Sequence, residues 1–462
     1  MRSEPFAMLR RLDTIRLRHV VLVAFLIRLA YVLLVTRGMT PVGDEVYYVS
    51  QGEALAHGKG FAAPLYFAGV TPSADHPPIN ALLMAIGPLL ASGKAMLFGL
   101  PLSIFLQRLT QVVVGTLTVA VVGRLGVAIV GRSTSNRLAH RTGILAAMVA
   151  ALSPSLWIND GILMAESVTA LTVVATLLMS VWAWDRGQWW RWALLGGMIG
   201  MAALARAELV GLLLVMALPM LVLRYRSSAR SLFINTGSCM LAGAAVCALW
   251  IVPNMVRFQE PTLFSTNDGL TLLGSNCPPT YSGPDIGGWR LDCLRLVDTN
   301  HNGVDDFTDL EAQSPFDTRS EDQSQISARY KRAGIAFAKA HASELPRVIV
   351  ARVGRTWGFW NPALAVRENE GEGRKAALSW AAWLVHWLML PAAIAGVLVL
   401  RRSRRPTWPF ISQAVLVTAA SAVANGLPRF RISWDVAACV LVAVAFAHTM
   451  SRREVDVSIA EG

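Results

Sequence analysis

Charge is scarce in this chain. Only 16% of its 462 residues are Asp, Glu, Lys or Arg, against roughly a quarter in ordinary soluble domains. With 54% hydrophobic residues and a mean hydropathy of +0.46, that shortage excludes a soluble globular enzyme, and it excludes disorder. Alternation of polar and apolar residues is also missing. The apolar stretches are continuous, which excludes a transmembrane β-barrel. No small-residue cleavage site follows the first apolar run, and Arg28 interrupts it. The run therefore reads as an uncleaved span and not as a signal peptide. No internal repeat stands out. Lysine is rare beside arginine, a usage associated with GC-rich bacterial genomes.

What is present is a series of apolar runs about as long as a bilayer is thick. Spans are predicted at about 20–35, 106–130, 142–158, 164–183, 192–206, 208–223, 232–253, 379–400, 407–424 and 432–449. The fold class is thus an all-α polytopic membrane protein of about ten transmembrane helices. The net charge of +12 suggests nucleic acid until the basic residues are placed. They cluster in short loops: Arg132, Arg137 and Arg141; Arg186 and Arg191; Arg224, Arg226 and Arg230; Arg401, Arg402, Arg404 and Arg405. Arg-rich short loops mark the cytoplasmic side, so both termini are expected inside a cell membrane, and no nucleic-acid partner is expected. The chain divides into an N-terminal tail and first span (1–36), a first outer loop (37–102), a transmembrane core (103–256), a large outer loop forming a small domain (257–378), C-terminal spans (379–450) and a cytoplasmic tail (451–462).

Five cysteines are present. Cys239, Cys247 and Cys439 lie in apolar spans and read as small core residues. Cys277 and Cys293 both fall in the large outer loop, where an oxidising compartment favours a disulfide between them; two free thiols are the weaker reading.

The first outer loop carries GDEVYY, with Asp44, Glu45 and Tyr48, and later DHPP, with Asp75 and His76. A carboxylate held at the lipid–water boundary can take a proton from an acceptor hydroxyl while a lipid-linked donor stays in the bilayer. Solvated charges or a helix cap are the plainer reading of an isolated Asp-Glu pair. GDEVYY, DHPPINALLMA, SPSLWINDGILMAES, ALARAELVGLLL, STNDGLTLLGSN, RVGRTWGFWNP and PRFRISWD, in that order along the chain, together resemble the GT-C glycosyltransferases. The likeness is to the group holding protein O-mannosyltransferases and aminoarabinose transferases. Ala207 stands where that group commonly has Pro.

The resemblance implies an inverting transfer of a hexosyl or pentosyl group, on the outer face, from a polyprenyl-phosphate donor to a hydroxyl on a protein, glycan or lipid. It makes Asp44 the candidate catalytic base, with Glu45 and Glu166 orienting acceptor or base. Arg206, Arg429 and Arg431 are the cations placed to meet a lipid phosphate, with snorkelling as the plainer reading of the last two. His76 is a candidate phosphate ligand and Tyr48 a further binding residue. Glu166 on the plainer reading favours its helix N-terminus. A polytopic transporter or flippase is the rival class, and a non-catalytic relative the third. The transporter would need ionisable groups near mid-membrane and shows repeats, whereas the notable carboxylates here cluster at the outer surface.

The segment DTNHNGVDDFTD has the spacing of a calcium loop. Asp298, Asn300, Asn302, the Val304 carbonyl, Asp306 and Asp309 fall at ligand positions, with Gly303 at the turn. A structural Ca2+ is expected there, apart from the chemistry; an acidic turn that binds nothing is the alternative. No catalytic metal is identified from the sequence.

Overall fold

In the computed structural model, residues 12–62, 72–91, 95–131, 136–296 and 322–460 are described. The described residues are overwhelmingly helical, with a single two-stranded hairpin, Met96–Leu97 against Leu100–Pro101. Seven helices are long and apolar enough to cross a membrane: Leu17–Thr36, Leu102–Val130, Glu166–Arg186, Ala207–Tyr225, Ala229–Arg257, Ala376–Arg402 and Pro428–Arg452. Asn136–Leu152 and Pro154–Gly161 meet at a 57° bend and, taken together as one broken span, bring the number among the described residues to eight. The count of ten from the apolar runs includes two shorter helices, Trp189–Ala205 at 17 residues and Trp408–Val423 at 16.

The helices sort by burial. In Pro428–Arg452, 89% of the apolar window is buried inside the protein, against 22% in Ala376–Arg402 and 28% in Ala229–Arg257. The last helix is therefore the central post, and the other two present Leu241, Leu249, Leu384 and Leu388 outward, where lipid is the natural solvent. The central post is rich in Ala and Val (Val436, Ala437, Ala438, Val440, Ala443), which lets neighbouring helices approach closely without a hydrophobic drive between them.

The bend after Leu152 has a local cause. Pro154 removes a backbone donor at the first helical position after Ser153 and starts a new axis. A short 3-10 turn, Ile158–Gly161, then leads into a chain break before the Glu166–Arg186 helix. This break, INDGILMA, lies against the first span and the first outer loop.

The two long segments between spans, 37–102 and 257–378, interlock where they are described. The Ala74 N–H donates to Gln323 Oε1 at 3.2 Å, and the Thr266 N–H to the Ala74 carbonyl at 2.8 Å. The Ser265 hydroxyl donates to the Asp75 carbonyl. Buried Arg352 fastens the larger segment to the membrane helices, donating to the carbonyls of Ala422 (3.1 Å) and Ser275 (2.6 Å) and to Asn276 Oδ1 (3.0 Å). Cys277 and Cys293 are disulfide-bonded with Cα atoms 5.8 Å apart, as expected from the sequence. The other three cysteines are buried and free. The calcium-like loop from Asp298 to Asp309, with Asn300, Asn302, Val304 and Asp306, lies outside the described residues. Phe359 is exposed, while Trp357 turns inward and donates to Thr418 Oγ1 at 3.1 Å.

Candidate active site

Gly43 adopts φ +56°, a conformation that residues with a Cβ rarely take, and turns the chain into the helix Asp44–Ala56. Asp44 is the first residue of that helix and Glu45 the second, so their side chains leave the axis about 100° apart. The two carboxylates consequently do different things. Asp44 faces a cluster of cations: Oδ2 lies 3.2 Å from Arg429 Nη1 and Oδ1 4.0 Å from His76 Nε2, and the side chain is 37% exposed. Burial raises the Asp44 pKa, but Arg429, His76 and Arg206 outweigh it and hold the carboxyl below its ordinary range.

Glu45 turns inward and is 2% exposed. Its oxygens accept from the backbone N–H groups of Leu163, at 2.7 Å, and Val42, at 3.1 Å. Burial pushes its pKa up against those two bonds. Glu45 thus ties Leu163 of the chain break to Val42, just before its own helix.

His76 enters from the head of the helix Pro78–Met84. Its ring is stacked on Tyr48 (centroids 5.0 Å apart, 23° between planes) and meets Tyr47 edge-on. Its Nε2 lies 3.3 Å from Asp75 Oδ2 and 3.5 Å from Asn267 Nδ2. Tyr48 is buried and is the platform for His76 rather than a residue lining the cleft. Burial, with Asp44 nearby, raises the Asp75 pKa even though His76 lowers it.

Behind Asp44 sits Glu166, first residue of its helix and buried. Its Oε1 lies 3.6 Å from Arg429, 3.8 Å from Arg206 and 3.8 Å from Arg374. One carboxylate thus gathers three guanidinium groups. Arg206 caps the C-terminal end of Trp189–Ala205, pairs with Glu208 at 2.6 Å and lies over the Phe430 ring. Arg429 also meets Glu372 at 3.1 Å and Met164 Sδ at 3.3 Å.

Arg431 is placed differently from its neighbour. It is 3% exposed, pairs with Asp435 at 2.9 Å one helical turn on, and donates to the Thr356 carbonyl. His386 lies 3.6 Å from the same Asp435 oxygen. These bonds tie Arg431 to the start of the central helix. Arg374 and Glu372 were not identified from the sequence. Arg374 is buried, held by Asn159 Oδ1 at 3.0 Å and by Glu372 at 2.6 Å. The stretch RENEGEGRK before a span is unusually charged for this chain, and that was the available signal.

Among the described residues, no group of three or more His, Cys, Asp or Glu is arranged to hold a metal ion.

No family model matches the chain, and no curated protein matches it. Solved structures do. An oligosaccharyltransferase from Archaeoglobus fulgidus, in complex with Zn and sulfate, matches with TM-score 0.50 at 15% identity, covering 96% of this chain and 50% of that one. The oligosaccharyltransferase AglB of the same organism, in complex with an inhibitory peptide and a dolichol-phosphate, matches with TM-score 0.51 at 13% identity, covering 96% and 51%. ArnT from Cupriavidus metallidurans, bound to undecaprenyl phosphate, aligns at 16% identity over 96% and 80% of the two chains, with TM-score 0.39. The chain spans about half the length of the two oligosaccharyltransferases. Identities this low speak to architecture, and by architecture the chain is a GT-C-type polytopic membrane protein.

Proposed function

We propose that the chain is a membrane glycosyltransferase that moves a sugar from a polyprenyl-phosphate donor to an acceptor hydroxyl by inverting displacement. The observation that carries the reading is the contact of Asp44 with Arg429, beside Glu166, Arg206 and Arg374. A carboxylate kept ionised next to clustered guanidinium groups is what transfer from a glycosyl phosphate asks for. The leaving phosphate is already good, so a base for the incoming hydroxyl and cations for the departing charge suffice.

In this reading Arg429 answers to two anions. Without donor it pairs with Asp44; a lipid phosphate arriving at Arg429 and Arg206 draws the guanidinium away and frees Asp44 to accept the hydroxyl proton. Arg206 supports the phosphate role by position. It heads a narrow, largely apolar cleft lined in part by Leu209, Leu416, Val417, Ala420 and Phe430, and in this reading the prenyl chain approaches its phosphate along that side. His76, fixed by Tyr48 and Asp75, is placed to hydrogen-bond either substrate. Both long loops face outward and both termini inward in this proposal, in keeping with the basic short loops. A Ca2+ held by the Asp298–Asp309 segment belongs to the proposal on spacing alone.

The test is consumption of an undecaprenyl-phosphate-linked sugar by the purified protein in nanodiscs, with released undecaprenyl phosphate as the readout. Turnover supports a transferase. Movement of the intact lipid-linked sugar across the bilayer without release supports a flippase instead.

A further inference from the structure

The helix Glu166–Arg186 begins beside Asp44 and Trp189–Ala205 ends there, so the turn that joins them lies at the opposite end of the bundle. Several basic residues at that end belong to ion pairs. Arg141 pairs with Asp13 and Glu454, both at 2.7 Å, and Arg137 reaches Asp13 at 3.5 Å. Beside the turn the balance changes. The stretch from Arg186 to Arg191 contains no carboxylate, and Asp185 is engaged through both oxygens by Arg405, at 2.9 and 3.1 Å. Among the described residues, neither Arg186 nor Arg191 lies within 4.0 Å of a carboxylate oxygen.

Two features define what this corner would bind. The first is a cation held by rings. The Arg191 guanidinium carbon lies 4.0 Å from the Trp182 ring centroid and 4.8 Å from that of Trp190, and the two rings meet edge-on. Its Nε is buried without a hydrogen-bond partner, and its Nη1 reaches only the Trp182 carbonyl, at 3.5 Å. Indole faces attract and position a guanidinium but do not neutralise it. Arg191 also stands in the first turn of its helix, where a cation is unfavourable unless an anion joins it. Exposed Arg186 follows Trp182 by four residues, so it shares that ring's helix face. The second feature is an apolar track. Trp190, Leu194, Gly197 and Met201 recur at helical spacing, and the three with side chains are 38%, 47% and 40% exposed. Gly197 leaves a gap between Leu194 and Met201, where an added Cβ would meet nothing nearer than Val246 at 3.9 Å.

We infer that this corner binds an anionic phospholipid of the surrounding bilayer, with its headgroup phosphate between Arg186 and Arg191 and one acyl chain along Leu194, Gly197 and Met201. Guanidinium groups suit a phosphate because their planar fork matches two of its oxygens. Trp182 and Trp190 then sit where indoles are favoured, between headgroup and hydrocarbon. A free phosphate would leave the apolar track unused. A zwitterionic lipid would bring its own cation to a corner that has no carboxylate to receive it. The 17-residue helix Trp189–Ala205 separates this corner from the Asp44 cluster by about 25 Å. Lipid binding here is therefore independent of the chemistry proposed at Asp44.

The experiment titrates the detergent-purified full chain with dioleoyl-phosphatidylglycerol, dioleoyl-phosphatidylcholine or inorganic phosphate, and reads the bound species by native mass spectrometry. Wild type is expected to hold phosphatidylglycerol at least about fivefold more tightly than phosphatidylcholine, and inorganic phosphate should not displace it. Arg186→Gln and Arg191→Gln should each weaken phosphatidylglycerol binding about fivefold, the effect of one basic residue at an anionic lipid surface. Arg402→Gln removes an exposed arginine at the same end of the bundle and should leave binding unchanged. An equal loss in Arg402→Gln would mean diffuse surface charge in place of a site. Phosphatidylcholine bound as tightly would mean that the apolar track acts alone, and displacement by inorganic phosphate would mean an anion site that does not recognise lipid. Each of these overturns the inference. Should Arg191→Gln fail to fold once its rings lose their cation, Arg186→Gln, on an exposed side chain, decides by itself.

Discussion

Arg28 and Asp160 form an ion pair inside the membrane region, with Arg28 Nε 2.6 Å from Asp160 Oδ2 and both side chains 2% exposed or less. Asp160 also accepts from the Ser167 hydroxyl at 2.6 Å, and Arg28 donates to the Ala24 carbonyl. Space for the carboxylate comes from Gly115, where a Cβ would lie 2.1 Å from Asp160 Oδ2. The pair ties the first span to the chain break that carries Leu163, Met164 and Glu166, so its integrity sets the geometry around Asp44. Removing one partner strands a buried charge and should cost about 3–5 kcal/mol. Arg28→Met and Asp160→Val should each show this loss in denaturant unfolding of the detergent-purified protein. The double variant leaves only Ser167 without its acceptor, a residual of about 1 kcal/mol. The double variant should therefore be more stable than either single one, and Gly115→Ala should destabilise wild type more than Asp160→Val. Losses that simply add would refute the reasoning, because they would mean that each side chain acts through its own packing and that the charges do not depend on one another.

Three further outcomes are expected. The acid limb of the kcat/KM–pH profile, which reports the free enzyme, should lie below the ordinary carboxylate range because Asp44 is held down by Arg429; Arg429→Gln should slow transfer and move that limb upward, since burial then acts on Asp44 with less opposition. Reducing Cys277–Cys293, which closes a segment of sequence separation 16, should lower the stability of the outer segment by about 3 kcal/mol in a thermal scan and expose two thiols to alkylation. Calcium should protect the large outer loop from limited proteolysis of the intact protein, and Asp298→Ala should remove that protection; an unchanged cleavage pattern would leave the segment a plain turn.

The multi-span helical architecture was legible because it rests on a local signal, apolar runs of bilayer length. Asp44, His76, Arg206 and Arg429 converge as their positions at the ends of spans suggested. Glu45 parts from Asp44 because neighbours in sequence diverge on a helix, and no local pattern tells which of the two meets Arg429. Arg431 carries a local signal of its ion pair. Asp435 follows it by four residues, the spacing at which helical ion pairs form. The partners of Glu166 depend on Arg374, 208 positions away in the chain, and of Arg28 on Asp160; pairings of this range are set by how the helices pack, which a single sequence does not display.

The central claim is that Asp44 is the base. Asp44→Asn keeps the side-chain volume and removes the proton acceptor, so expression and unfolding behaviour should survive. Loss of a general base typically costs about 10²–10⁴-fold in rate. The direct measurement is release of undecaprenyl phosphate from a lipid-linked sugar by purified wild type and Asp44→Asn at equal folded concentration in nanodiscs. The account predicts a drop in kcat of that order, with KM for the donor little changed; equal turnover by the two proteins would contradict it.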